Sequence, residues 1–344
     1  MNQEQIEDYL NDLLEDAEND LDQVFLYRLR EMKRWLSALF EKYPDPETNG
    51  ISRSEIYKYR RFEKELQMIK ENIQTDYKTA YSLVYGLMAS QYTQNYLRTG
   101  HLFEMSTQLD MGYVIPKAST IKEAITNPIK EITLNSTLNK HRNETIRRIR
   151  IELAQGIQAG EGYSTMAKRL ESALGFSRRK ARTVARTEAG RSQSLSRLHT
   201  MDKVKETIND RRLDKMWFSS RDTNVRHSHR ELDSQRAGKD GLFEYKGHKA
   251  PAPSLFGVPW LDINCRCDTL YLVDGKRPEM MRGRDYTDER YQQRLAERIE
   301  QLMADEALTE KQAERKAKKQ VYPPHKVTEY MEYDIWYKTL GKVS

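Results

Sequence analysis

Cysteine is almost absent from this chain. Its 344 residues hold two, and Arg266 alone separates them in the tetrapeptide Asn264–Cys265–Arg266–Cys267. Thiols this close cannot close a useful loop, which excludes a disulfide-framed scaffold. Glycine and proline are few, 16 and 10, which excludes low-complexity disorder. Long hydrophobic runs are missing as well. The longest charge-free stretch, Thr79–Leu97, contains Ser82, Ser90, Gln91, Thr93, Gln94 and Asn95 and does not suit a bilayer. The opening "MNQEQIEDYL" lacks the basic n-region and apolar core of a signal peptide. These absences predict a soluble protein made in a reducing cytoplasm.

Charge is what the chain has in abundance. A mean hydropathy of −0.87 suits long solvent-exposed helices or a subunit of an assembly. The formal net charge is +6, but it is unevenly spread. The first 22 residues carry nine acids and no Lys or Arg, whereas residues 140–199 carry 14 Lys/Arg against 5 Asp/Glu. A basic centre of this strength points to a polyanion or an acidic protein surface as partner, most directly nucleic acid.

Apolar periodicity predicts a mostly helical chain. Ile6, Leu10, Leu13, Leu14, Ala17, Leu21, Val24 and Phe25 recur at three- and four-residue steps, giving one long helix or a helical pair over 1–42. "YPDPETNG" (43–50) breaks it, and "SRSE" (52–55) reads as a capping box opening a second run to about Leu97. That run is rich in tyrosine, which predicts amphipathic packing faces or a partner interface. After a connector at 113–120, "TIKE" (120–123) offers another start. A helical pattern then runs from about Ile129 to Glu206, with breaks expected at 159–164 and 173–177 and N-caps at Ser164 and Ser177.

Beyond Lys215 the texture changes. "MWFSS" (216–220) and "DTLYLVD" (268–274) read as strands of a small sheet. A charged helix follows from Asp285 to about Gln320, then "VYPPHK" and an aromatic segment, "YMEYDIWYKTL". The expected fold class is α+β and mostly helical. Its parts are a helical N-terminal region (1–130), a basic helical middle leading into a small α+β module (131–277), and a helical C-terminal tail (278–344).

Three clusters could carry chemistry. In "VARTEAGRSQSLSR" (184–197), Arg186, Glu188 and Arg191 lie at helical pairing distance, although a solvated basic helix explains them as well. "SSRDTNVRHSHRELDSQ" (219–235) carries Asp222, Arg226, His227, His229 and Asp233. His227 and His229 would share a face on a strand and point apart on a helix. The third cluster is Asn-Cys-Arg-Cys. His-x-His and Cys-x-Cys together offer a Cys2His2 zinc set of His227, His229, Cys265 and Cys267, with His248 a further nitrogen. The single-residue gaps are shorter than those of the strong zinc signatures. A redox pair lacks its usual two-residue spacer. The alternative is two small residues packed beside a strand, with His229 bonded to loop backbone.

The order of these pieces resembles a known family. Arg186, Thr187 and Glu188, then Trp217, then Asp222, Arg226, His229, Leu232 and Asp233, then Asn264, Cys265, Arg266 and Cys267, are similar to the phage Mu F-like head morphogenesis, or minor capsid, proteins. The resemblance covers residues 140–275. It departs from the family at Asn224, where Arg is common, and at Ser234, where Gly is usual. It implies a tailed-phage structural protein of the virion, held inside the head, assembled in the host cytoplasm and associated with the portal protein. Capsid and scaffolding proteins are its further expected partners. Some relatives carry a toxin or enzyme domain after this module; here 70 residues follow Asp274, mostly charged helix.

The leading expectation is a minor head protein that docks through its helices and touches packaged double-stranded DNA. Phosphate neutralisation without base reading falls to Arg142, Arg147, Arg148, Arg150, Arg178, Arg179, Lys180 and Arg182. Arg186, Glu188, Trp217, Asp222, Arg226, Asp233 and Asn264 are the expected structural motif residues. The rival is an enzyme, a nuclease or group transferase, using His229 with Glu188 or Asp233 as acid/base and Arg226 on a phosphate. A regulatory DNA-binding protein would need a reading helix that is not recognisable here. No membrane role is expected.

Overall fold

The structure is a computed structural model that describes residues 3–107, 112–126, 133–207, 213–306 and 308–340. Its elements in chain order are α1 (Gln3–Lys42), α2 (Arg53–Tyr57), α3 (Arg61–Thr107), α4 (Ala118–Thr126), α5 (Leu134–Gln158) and α6 (Tyr163–Thr207). Then come β1 (Leu213–Phe218), α7 (His227–Leu232), β2 (Phe243–Tyr245), β3 (His248–Ala250), α8 (Pro259–Asp262) and β4 (Asp268–Val273). The chain continues through β5 (Met280–Arg284), α9 (Glu289–Glu306), α10 (Glu310–Ala317), β6 (His325–Glu329) and α11 (Tyr333–Leu340). Among the described residues helices dominate and the strands form three two-stranded sheets, so the mostly helical α+β class holds.

The chain divides into two compact units. One comprises Met1–Thr207 with Gly257–Cys265, the other Ile208–Phe256 with Arg266–Ser344. In the first, α1, α3, α5 and α6 pack into a bundle. The apolar steps of α1 supply Ile6, Leu10, Leu21, Phe25, Met32, Leu36 and Leu39 to its interior, all buried. Gln3–Lys42 is therefore one helix rather than a pair. On α3, Tyr77 and Tyr92 are buried, while Tyr81 and Tyr85 stack at 6.0 Å. Ser52 caps α2 by accepting from the Glu55 amide, and α3 continues ten residues past the expected end at Leu97. The expected start near Ile129 lies outside the described residues.

One expected break is real and one is not. Gly160, at φ +65°, turns the chain between α5 and α6. Residues 173–177, by contrast, are continuous helix, and Ser177 is no cap. Its hydroxyl is buried and meets Thr145 Oγ1 at 2.6 Å, and Thr145 in turn meets the Tyr77 hydroxyl at 2.9 Å. A helical glycine such as Gly175 costs about 1 kcal/mol, and burial of Ala173 and Leu174 beside it outweighs that. Ser164 likewise falls inside α6, which opens at Tyr163.

In the second unit β1 and β4 pair antiparallel, with Leu213 opposite Val273 and Phe218 opposite Asp268. Trp217 is fully buried and contacts Phe243 and Phe256 at 5.4 and 5.9 Å between ring centres. The tail expected as one helix is two. Thr309 and Gln312 form a capping box that starts α10, and β6 pairs with β5.

Candidate metal and polyanion sites

Helix α6 presents the Ala-Arg-Thr-Glu motif. Thr187 Oγ1 donates to the Thr183 carbonyl at 2.7 Å and accepts from the Asn264 amide at 3.1 Å. Asn264 sits at φ +54°, a left-handed conformation that Asn tolerates better than most residues. Glu188 and Arg191, both buried, pair at 3.2 Å. Burial pushes the Glu188 carboxyl above its ordinary range; the Arg191 charge opposes the shift and Asp262 adds to it. Asp262 is itself buried and accepts from the Gly257 amide at 2.7 Å. The motif thus anchors the loop that ends in Asn-Cys-Arg-Cys, and Glu188 is committed to Arg191.

Around β1 the second motif folds into a closed hydrogen-bond set. Ser219 Oγ donates to the His229 carbonyl at 2.6 Å. Asp233 accepts from Arg221 at 2.8 Å, from the Ser219 amide at 2.8 Å and from the Tyr333 amide at 2.7 Å. Asp222 accepts from Arg266 at 2.8 and 3.0 Å, from Ser220 Oγ at 2.8 Å and from the Asn224 amide at 2.8 Å. Arg226 occupies the cap position of α7 without capping it through its side chain. Ser234 sits at φ +65°, a conformation that glycine adopts without steric cost.

Because α7 is a helix, the two histidines part. His227 is exposed, with Nδ1 3.2 Å from Glu231, whereas His229 is buried with its ring edge-on to Trp217 at 5.5 Å. His227 therefore leaves the expected ligand set, and His248 does not join it. What remains of the expected set is His229 with the two thiols of Cys-x-Cys; Cys265 is buried and Cys267 half-buried. His229 Nδ1 lies 3.2 Å from Cys267 Sγ. Ligands of a tetrahedral zinc, at about 2.3 Å for sulfur and about 2.0 Å for nitrogen, stand roughly 3.3–3.8 Å from one another. The His229–Cys267 pair is close to that spacing, so a His/Cys/Cys group here could hold a metal ion.

The basic middle is sorted by its neighbours. Arg182 Nε donates to Glu18 at 3.0 Å and its Nη1 to Asp22 at 3.3 Å. Arg186 also bonds Glu18, and Arg178 lies 3.8 Å from Asp22. Acids of α1 thus neutralise one side of α6. Arg150 pairs with Glu63 of α3 at 2.6 Å, and Arg142 donates to Asn143. Arg147 and Arg148 share Glu144, and their guanidinium groups pull its pKa down to about 2. Arg148 stacks 3.8 Å over the Phe176 ring, with Lys180 5.6 Å away. Reading charge by count missed the α1 partners and also Lys140, His141 and Phe176. Helical angle, available from the sequence, would have separated these groups.

Fold, motif order and relatives together define a structural component of a phage head. The profile of the Phage Mu protein F like protein family matches residues 147–270. The chain is 38% identical over 285 residues to Minor head protein GP7 of Bacillus phage SPP1, covering 82% of this chain and 91% of that protein. It is also 27% identical over 292 residues to NAD(+)--arginine ADP-ribosyltransferase EFV of Enterococcus faecalis strain ATCC 700802 / V583, covering 83% of this chain but 58% of that protein. No solved structure matches. This chain belongs to the phage Mu F-like minor head protein family.

Proposed function

We propose that the chain enters the procapsid as a minor head protein docked on the portal, contacts packaged DNA without sequence preference, and acts as a structural part rather than an enzyme. The observation that carries this reading is the match to the SPP1 minor head protein along nearly all of that protein's length. Region 1–130 supplies the docking helices, against the portal and adjoining capsid or scaffolding proteins. Region 131–277 carries the DNA-facing cations and the metal group, and region 278–344 closes the module. The site of action is the interior of the virion head, reached from the host cytoplasm. No helix among the described residues is long and apolar enough to cross a membrane.

The acids that an enzyme would need support the structural role. Glu188 is paired with Arg191, and Asp233 is saturated by Arg221 and two backbone amides. A zinc held by His229 as nitrogen donor with Cys267 and Cys265 would close the Asn-Cys-Arg-Cys turn, a role supported by the 3.2 Å approach of His229 Nδ1 to Cys267 Sγ. Co-expression with portal and major capsid proteins tests the docking: the chain is expected to co-purify with portal-containing procapsids and to be missing from portal-less shells. Incubation with labelled NAD(+) and an arginine-rich acceptor is expected to leave the acceptor unlabelled; transfer of label would restore the enzyme reading.

A further inference from the structure

The eight cations expected to meet DNA do not share one surface. Helices α5 and α6 form an antiparallel hairpin, and its register is fixed by Thr145 facing Ser177 at 2.6 Å. Glu152 meeting Arg169 at 2.7 Å, two helical turns nearer the loop, agrees with that register. An α-helix advances about 100° per residue. Measured from Thr145, positions 140, 141, 144 and 148 fall on one flank of α5, between about 40° and 140° round the axis. Measured from Ser177, Phe176 and Lys180 fall about 60–100° round on the same side of α6. Arg142, Arg150, Arg178 and Arg182 lie on the opposite flank, where Arg150, Arg178 and Arg182 meet acids of α3 and α1.

Resting on the reading that the chain contacts DNA, we infer that the flank formed by Lys140, His141, Arg148, Phe176 and Lys180 is the phosphate-binding strip. Phe176 is its platform, holding Arg148 and Lys180 by cation–π contacts at 3.8 and 5.6 Å. His141 stands beside Lys140 and Lys180, and the burial of its ring and those two ammonium groups hold its pKa below the ordinary imidazole value. Arg147 and Arg179 flank the strip, so five cations face one carboxylate, Glu144. From Lys140 to Arg148 the strip runs roughly 12 Å along α5. Strand phosphates spaced about 3.4 Å along a duplex axis match a strip of that length with several contacts. The opposite flank offers little, because acids of this same chain already neutralise it.

The test uses the full chain and a random-sequence DNA duplex, with affinity read by fluorescence anisotropy over a salt series. The triple variant Lys140→Ala/Arg148→Ala/Lys180→Ala should lower the slope of log affinity against log salt by about 2–3, and affinity near 0.1 M salt by about a hundredfold or more. Arg142→Ala/Arg150→Ala should leave both unchanged. Glu144→Gln should strengthen binding, a gain that a folding defect does not produce. Equal losses from the two flanks, or no loss from the triple variant, would overturn the strip while leaving DNA contact intact. Loss of procapsid incorporation without loss of DNA affinity would assign the strip to an acidic protein surface and overturn it too. A wild-type chain that binds no duplex even at low salt would remove the DNA reading itself.

Discussion

The amide of Asn264 donates to the hydroxyl of Thr187 at 3.1 Å, joining two motifs 77 residues apart in the chain. The closing Asn-Cys-Arg-Cys turn is therefore held by the helix that carries Ala-Arg-Thr-Glu. Replacing Thr187 with Val keeps the shape and removes the acceptor. Unfolding in denaturant should show a loss of about 1 kcal/mol with helix content unchanged. A variant as stable as wild type would show that the turn needs no such anchor.

Ser234 makes a prediction of the opposite sign. Its φ of +65° is costly for a residue with a Cβ. Ser234→Gly relieves that strain and gives up a 3.3 Å contact with the Tyr330 hydroxyl. The net expectation is a gain of about 0.5 kcal/mol, read as a higher thermal midpoint. A lower midpoint would mean that the Tyr330 contact outweighs the backbone strain.

Glu188 gives the fold a pH dependence. Its carboxyl is raised in the folded chain mainly by burial. The group's contribution is then fully present below its ordinary pKa and is lost as pH rises through the raised folded value. Measured by denaturant midpoint at about pH 4 and about pH 8, wild type should lose more stability on the way up than Glu188→Gln. Parallel pH profiles would place the carboxyl in a less buried setting than α6 gives it.

The metal group is tested by composition. Purified untagged chain should carry about one zinc, removable by chelator together with part of the folded signal in circular dichroism. His229→Ala and Cys267→Ser should each abolish it, whereas His227→Ala should retain it, because His227 is exposed and paired with Glu231. Zinc retained in the His229 variant would move the site elsewhere.

Much of this architecture could be read from residue order. The apolar steps of α1 dictate its burial, and the Trp217 and Asp268–Val273 strands stand out by composition. What escaped depended on distant partners. Gly175 suggests a break until Ser177 is seen bonding Thr145, 32 residues before it. Strand β5, "MMRGR", has no apolar alternation and becomes a strand only against His325–Glu329. The metal group was half legible: the Cys-x-Cys spacing announced two donors, while the choice between His227 and His229 needed α7 to be a helix. The basic middle was legible as a sum, but Glu18 and Asp22 decide which of its arginines are spent on the chain itself.

In its proposed role this minor head protein sits at the portal. Quantitative mass spectrometry of procapsids assembled from the chain, its phage's portal protein and major capsid protein tests it most directly. The chain should be present at a fixed ratio to portal and fall to background when the portal is omitted. Equal incorporation with and without the portal, or absence from both particles, would contradict it.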